Sequence, residues 1–201
     1  MDLYYDIILN KTILANLIIL IYTVYMLKYC KLSQYKIKKI LKVFAEDYSS
    51  TDASKLTKLS RNTTDRYYAI FRKVCLSIIQ DKLKIYAGDG EYIGFIRGEY
   101  FEKEYFNIYK INEKIFICVK LSEKPNTTKR AIMDQDFNKY LSFFYKRFSK
   151  FYGIQGQGYY YQLFECILRY NYTEQELYNL LWNQLKAISR DKTYELLSTK
   201  Y

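Results

Sequence analysis

"TKLSRNTTDRYYAIFRK", residues 57–73, is basic and aromatic and opens on small polar residues. It permits two readings, an ordinary helix cap or the tip of a helix that reads DNA. After Ser60 come Tyr67, Ile70, Phe71, Val74, Ile78 and Ile79, spaced as one apolar face of a helix. That spacing predicts a helix capped at Ser60 and running to about Gln80.

Upstream, "SQYKIKKILKVFAED" (33–47) predicts a short amphipathic helix with Ile37, Ile40, Leu41 and Phe44 on one side. In "YSSTDASKLTKLS" (48–60), Ser50 or Thr51 is placed to cap a second short helix carrying Ala53, Leu56 and Leu59 inward. Three helices with a tight break between the second and third form the layout of a helix-turn-helix. In that layout Arg61, Asn62, Thr63, Thr64 and Arg66 occupy the first turns of the third helix, within reach of base edges. Lys55, Lys58, Arg72 and Lys73 flank them for phosphates. Ser60 both caps the helix and offers its N-terminus to a phosphate. The plainer alternative is a basic three-helix bundle whose charges are only solvated. Tyr67 and Tyr68 are expected in the core rather than stacked on bases.

The charge distribution favours an anionic partner. Of a formal net charge of +11, residues 28–84 supply +9, from 14 Lys/Arg and 5 Asp/Glu. Nucleic acid and anionic lipid are the partners such a segment attracts. The 25 Tyr, beside one Trp and one Pro, belong to a Lys/Ile/Tyr-heavy vocabulary that an AT-rich genome would supply. There is no His and no C-x-x-C pair, which excludes a zinc ribbon or zinc finger. Cys30, Cys75, Cys118 and Cys166 stand far apart within apolar text and read as reduced, buried thiols of a cytoplasmic protein.

Residues 13–27, "ILANLIILIYTVYML", form the strongly apolar run of the chain. It is shorter than the roughly 20 residues a spanning helix needs, and Asn16 and Thr23 interrupt it. It reads as a membrane anchor or as a buried apolar helix. If it spans, the Lys excess after it leaves the rest of the chain in the cytoplasm.

After Lys84 the period changes. "KIYAGDGEYIGFIRG" (84–98), "EYFEKEYFNIYKI" (99–111) and "EKIFICVKL" (113–121) predict three strands of an antiparallel meander. "SEKPNTTKR" (122–130) is a loop, and residues 131–152 are helical again, with Gly153 as the stop. "QGQG" (155–158) is a break before two closing helices, the second opened by a capping box at Thr173 and Glu176.

Together these residues resemble the bacterial insertion-sequence transposases allied to eukaryotic Merlin elements, the ISXO-type DDE transposases. Ser50, Ala53, Leu56, Leu59, Ser60, Asn62, Thr63, Tyr67, Tyr68, Phe71 and Arg72 match the helix-turn-helix pattern of that family. "DGE" (89–91) resembles the start of its first catalytic strand and "NEKIFICVKL" (112–121) its third. "NKYLSFFYKRFSKFYGI" (138–154) is similar to its last catalytic helix and "YYYQLFECILRYN" (159–171) to its closing helix. The resemblance spans residues 31–172 with a gap. It implies an α+β fold, a helix-turn-helix followed by a shortened RNase H-like remnant. It also implies DNA transposition as the ancestral activity.

The catalytic part departs from the family. RNase H-type transposases hold two Mg²⁺ ions with three carboxylates, one ion activating the attacking oxygen and the other stabilising the leaving oxygen. Aligned without a gap, Phe95 and Ile96 stand where the family has Asp-Glu, and Asn138 where it has the last Glu. The segment carrying the second Asp is missing between Pro125 and Ala131. Glu91, Glu99 and Asp134 are the weak catalytic candidates that remain.

The expectation is therefore a DNA-binding protein of a mobile element, a degenerate copy with impaired catalysis. No cofactor is implied unless activity survives, in which case the ion is Mg²⁺. Its partner is double-stranded DNA at the element ends, bound by one copy or a homodimer. The alternative is a single-pass membrane protein with a cytoplasmic α/β interaction domain. Four segments follow: an apolar start (1–30), the helix-turn-helix (31–83), the RNase H-like remnant (84–154) and C-terminal helices (155–201).

Overall fold

The computed structural model describes residues 32–85, 91–97, 105–120, 135–149 and 157–198. The apolar run 13–27, Glu99, Asp134 and Gly153 lie outside them. Among the described residues the chain is α+β, with six helices and one three-stranded antiparallel sheet.

Helix α1 spans Gln34–Ala45 and is capped by Ser33, whose Oγ accepts from the Lys36 N–H at 3.5 Å. It buries Ile40, Leu41 and Phe44 as its periodicity predicts, and Val43 and Ala45 as well. Helix α2 spans Ser50–Thr57, and its cap is Ser49 rather than Ser50 or Thr51. Asp52 decides this. The Ser49 hydroxyl accepts from the Asp52 N–H at 3.1 Å and donates to the Asp52 carboxylate at 2.6 Å.

The inward stripe of α2 also differs from expectation. Ala53 is buried, but Leu56 is 48% exposed and Leu59 half-buried. Thr57 takes the inward place, one turn after Ala53, and its hydroxyl donates to the Ala53 carbonyl at 2.7 Å. That bond satisfies the hydroxyl where a leucine would have needed none.

Helix α3 spans Arg61–Ile85 and outruns the expected end near Gln80, since no Gly or Pro interrupts it before Gly88. Tyr67, Ile70, Phe71, Val74, Ile78 and Ile79 are all buried, and so is Tyr68. Phe44 of α1 meets Tyr68 and Phe71 edge-on, with ring centroids 4.9 and 5.3 Å apart. The Tyr68 hydroxyl donates to the Tyr48 carbonyl at 2.9 Å.

Strands β1 (Glu91–Arg97), β2 (Tyr105–Ile111) and β3 (Lys114–Lys120) pair in that order as the expected meander. The β2–β3 connection is Asn112-Glu113, both at positive φ (47° and 63°), as a two-residue type I′ hairpin demands. A bulge between Tyr92 and Gly94 shifts the β1 register. Helix α4 (Gln135–Phe148) follows, then α5 (Gln157–Asn171), which starts inside the expected QGQG break, and α6 (Glu174–Ser198). The capping box of α6 is present: Glu176 Oε2 accepts from the Thr173 N–H at 2.8 Å, and the Glu176 N–H donates to Thr173 Oγ1 at 3.4 Å.

The chain divides into two compact units. One takes the residues up to Ser77 and those from Tyr178 onward; the other takes Ile78–Leu177. Helices α3 and α6 each have residues in both units. In the first unit, Gln184 of α6 donates from Nε2 to Ser77 Oγ at 3.2 Å. The Lys38 ammonium lies 5.1 Å from the ring centre of Trp182.

In the second unit, Glu165 of α5 is buried between two arginines. Its Oε1 accepts from Arg147 at 2.9 Å and from Arg169 at 2.7 Å. Asn171 ends α5 on strand β3. Its carboxamide oxygen accepts from the Ile115 N–H at 2.9 Å, and its amide donates to the Ile115 carbonyl. One side chain thus satisfies both backbone groups of a strand residue.

Candidate nucleic-acid interface

The connection between α2 and α3 is three residues long, Lys58 to Ser60. Lys58 is left-handed (φ 57°, ψ 40°), and the Leu59 N–H donates to the Ser54 carbonyl at 3.2 Å. That six-to-one bond is the Schellman closure of α2. It leaves Lys58 exposed at the corner and delivers Ser60 to the start of α3. Ser60 Oγ accepts from the Thr63 N–H at 3.2 Å and lies 2.8 Å from the Thr63 hydroxyl. The expected cap is in place.

Past the cap, α3 sorts its residues cleanly. Arg61, Asn62, Asp65, Arg66 and Ala69 are exposed, while Thr63, Arg72 and Lys73 are half-exposed. Arg61, Asn62, Asp65, Arg66, Ala69, Arg72 and Lys73 fall within about 140° of the helix circumference at 3.6 residues per turn. Thr64 is the exception among the predicted readers. It is fully buried, with its hydroxyl donating to the Ser60 carbonyl at 3.2 Å, so it belongs to the inward face and cannot reach a base. Lys55 is exposed on α2, within 3.7 Å of Asp52.

Two groups on the rim of this face have modified surroundings. The Arg72 guanidinium lies over the Tyr68 ring, 5.8 Å from its centre. Partial burial pushes the Lys73 ammonium below its ordinary pKa, because desolvation disfavours the charged form. Arg61 stands at the first position of α3, where the positive end of the helix dipole opposes a cation. Asp65, one turn later, lies 3.7 Å from its Nε.

The expected catalytic region gathers no metal site among the described residues. Glu91 is exposed at the start of β1, in register with Lys110 of β2. Glu99 and Asp134 lie outside the described residues, and Asn138 is exposed on α4. Asp136 is held by Lys110 at 2.7 Å and Lys139 at 3.4 Å, and Glu113 reaches the same Lys110 at 3.0 Å. Hydrogen bonds from Lys110 and Lys139 keep the Asp136 carboxyl below its ordinary pKa. Those from Asp136 and Glu113 keep Lys110 protonated well above its own. These carboxylates serve lysines.

Sequence reasoning missed three features. The Arg61–Asp65 pair was visible as an i, i+4 spacing. The Glu165–Arg169 half of the buried triad was visible in the same way, whereas Arg147–Glu165 and Lys38–Trp182 join residues too distant in sequence for any local signal. No known protein family, curated protein or solved structure matches the chain. Among the described residues no helix is long and apolar enough to cross a membrane.

Proposed function

We propose that this chain is a DNA-binding protein descended from an insertion-sequence DDE transposase of the ISXO type, with catalysis lost or severely impaired. Helices α1–α3 serve as a helix-turn-helix, and the β-meander with α4 and α5 is the remnant of an RNase H-like domain. The observation that carries the reading is the outward face of α3. Arg61, Asn62 and Arg66 lie exposed on its first two turns, beyond a three-residue connection whose corner is the exposed Lys58.

Helix stability does not account for Arg61, since a cation at a helix N-terminus is electrostatically misplaced. Contact with a polyanion does account for it. A guanidinium donates bidentately to guanine O6 and N7 or to phosphate, and Asn62 has the amide geometry for adenine N6 and N7. Lys55, Lys58, Arg72 and Lys73 supply the sequence-independent share of binding. Ser60 leaves the remaining N–H groups of the first turn directed at a phosphate.

The test is binding of the full chain to fluorescent duplex DNA across a salt series. Affinity is expected to fall linearly on logarithmic axes as salt rises. Lys58→Ala is expected to lower the slope by about 1 and to weaken all sequences alike, whereas Arg66→Ala should also relax preference at one base pair. Absence of duplex binding at low salt would sink the reading. Mg²⁺-dependent nicking by the unaltered chain would show that catalysis survives.

A further inference from the structure

Asp65 is an acidic side chain on the outward face of the first turns of α3, exposed among Arg61, Asn62 and Arg66. Its presence has no good explanation in helix stability. It lies past the first turn, so it neither caps α3 nor meets the positive end of the helix dipole; Ser60 does the capping. Its partner Arg61 precedes it by four residues, the less favourable order for an i, i+4 ion pair. Both side chains are largely solvated, with 68% and 49% exposure, where such a pair contributes little. On a surface meant only to grip phosphate, a carboxylate in this place is repulsive.

We infer that Asp65 is a specificity-determining residue of the DNA contact. It weakens binding to arbitrary duplex and favours a cytosine at the base pair it faces. The inference rests on the DNA-binding reading above. Two properties of the carboxylate carry it. As an acceptor without a donor, it pairs best in the major groove with the N4 amine of cytosine, because the adenine N6 amine sits beside the N7 acceptor, and it opposes every phosphate oxygen. It also stands 3.7 Å from Arg61 Nε, beside a guanidinium whose fork fits the guanine O6/N7 edge. Discrimination then comes from a repulsive element as much as from an attractive one.

The same full chain tests this, with Asp65→Asn compared with the unaltered protein and with Arg66→Ala. Asparagine keeps the shape and removes the charge, and the exposed site should leave the helical signal and melting temperature unchanged. Two measurements decide: affinity for a random-sequence duplex, and the sequences recovered from a randomised duplex pool. Asp65→Asn is expected to bind random duplex about tenfold more tightly and to flatten cytosine preference at one position, a loss on the scale of one base contact. Unchanged random-duplex affinity together with an unchanged recovered site would overturn the inference. If Arg66→Ala still weakens binding in that case, the DNA-binding reading survives alone. If the unaltered chain binds no duplex at low salt, both fall together.

Discussion

Ser60 illustrates how much one small residue decides. Its hydroxyl takes the Thr63 N–H and its carbonyl takes the Thr64 N–H and hydroxyl, so the start of α3 is fixed three times over. Ser60→Ala is expected to lower stability by about 1 kcal/mol in urea unfolding, the usual cost of a lost N-cap. A change well below that would mean Thr63 or water replaces the cap. Glu165 is the opposite case, a buried charge shared by two arginines. Glu165→Gln leaves two buried guanidinium groups facing a neutral amide and is expected to cost about 3 kcal/mol or more. A neutral result would show that the triad is solvated in solution.

At the scale of elements, periodicity carried most of the information. The face of α3 from Tyr67 to Ile79 was legible because its core positions repeat at helical spacing over several turns. The meander was legible because aromatic and β-branched runs alternate with Asn112-Glu113 and Gly88-Asp89-Gly90. Helix α2 was misread on two counts, cap and inward stripe. Eight residues are too few to define a phase, and Ser49, Ser50 and Thr51 offer the same cap chemistry until Asp52 selects one. Thr64 was misplaced for a related reason: a threonine beside a cap looks polar, yet it sat on the buried side.

The contact of α4 with β2 gives a pH prediction at the same scale. Because Lys110 and Lys139 depress the folded pKa of Asp136, its contribution is present above the unfolded carboxyl pKa. That contribution is lost as pH falls through the lower folded value. Lys110, whose folded pKa is raised, contributes fully below the ordinary lysine value and loses its share only on strong alkalinisation. Asp136→Asn should therefore lower the neutral plateau of a stability-against-pH curve slightly and flatten its acid limb below about pH 4 by the same amount. An acid limb that keeps its shape would contradict the ion pair.

For the whole molecule, composition located the charge but not its arrangement. That residues 28–84 hold +9 of the net charge was readable from the text. That Arg61, Asn62, Arg66, Arg72 and Lys73 share one side of α3, with Asp65 among them, required knowing which side is buried. The joining of α6 to α1 and α3 was illegible, because Lys38 and Trp182, or Ser77 and Gln184, are separated by more than a hundred residues.

That joining bears on how the gene tolerates damage. A nonsense codon or frameshift between Ile85 and Tyr178 leaves every codon of α1, α2 and α3 untouched. It still removes the ring under Lys38 and the amide that meets Ser77. Lesions at the 3′ end should therefore be felt in a unit encoded mostly at the 5′ end, so an intact front half of the reading frame does not guarantee an intact front unit.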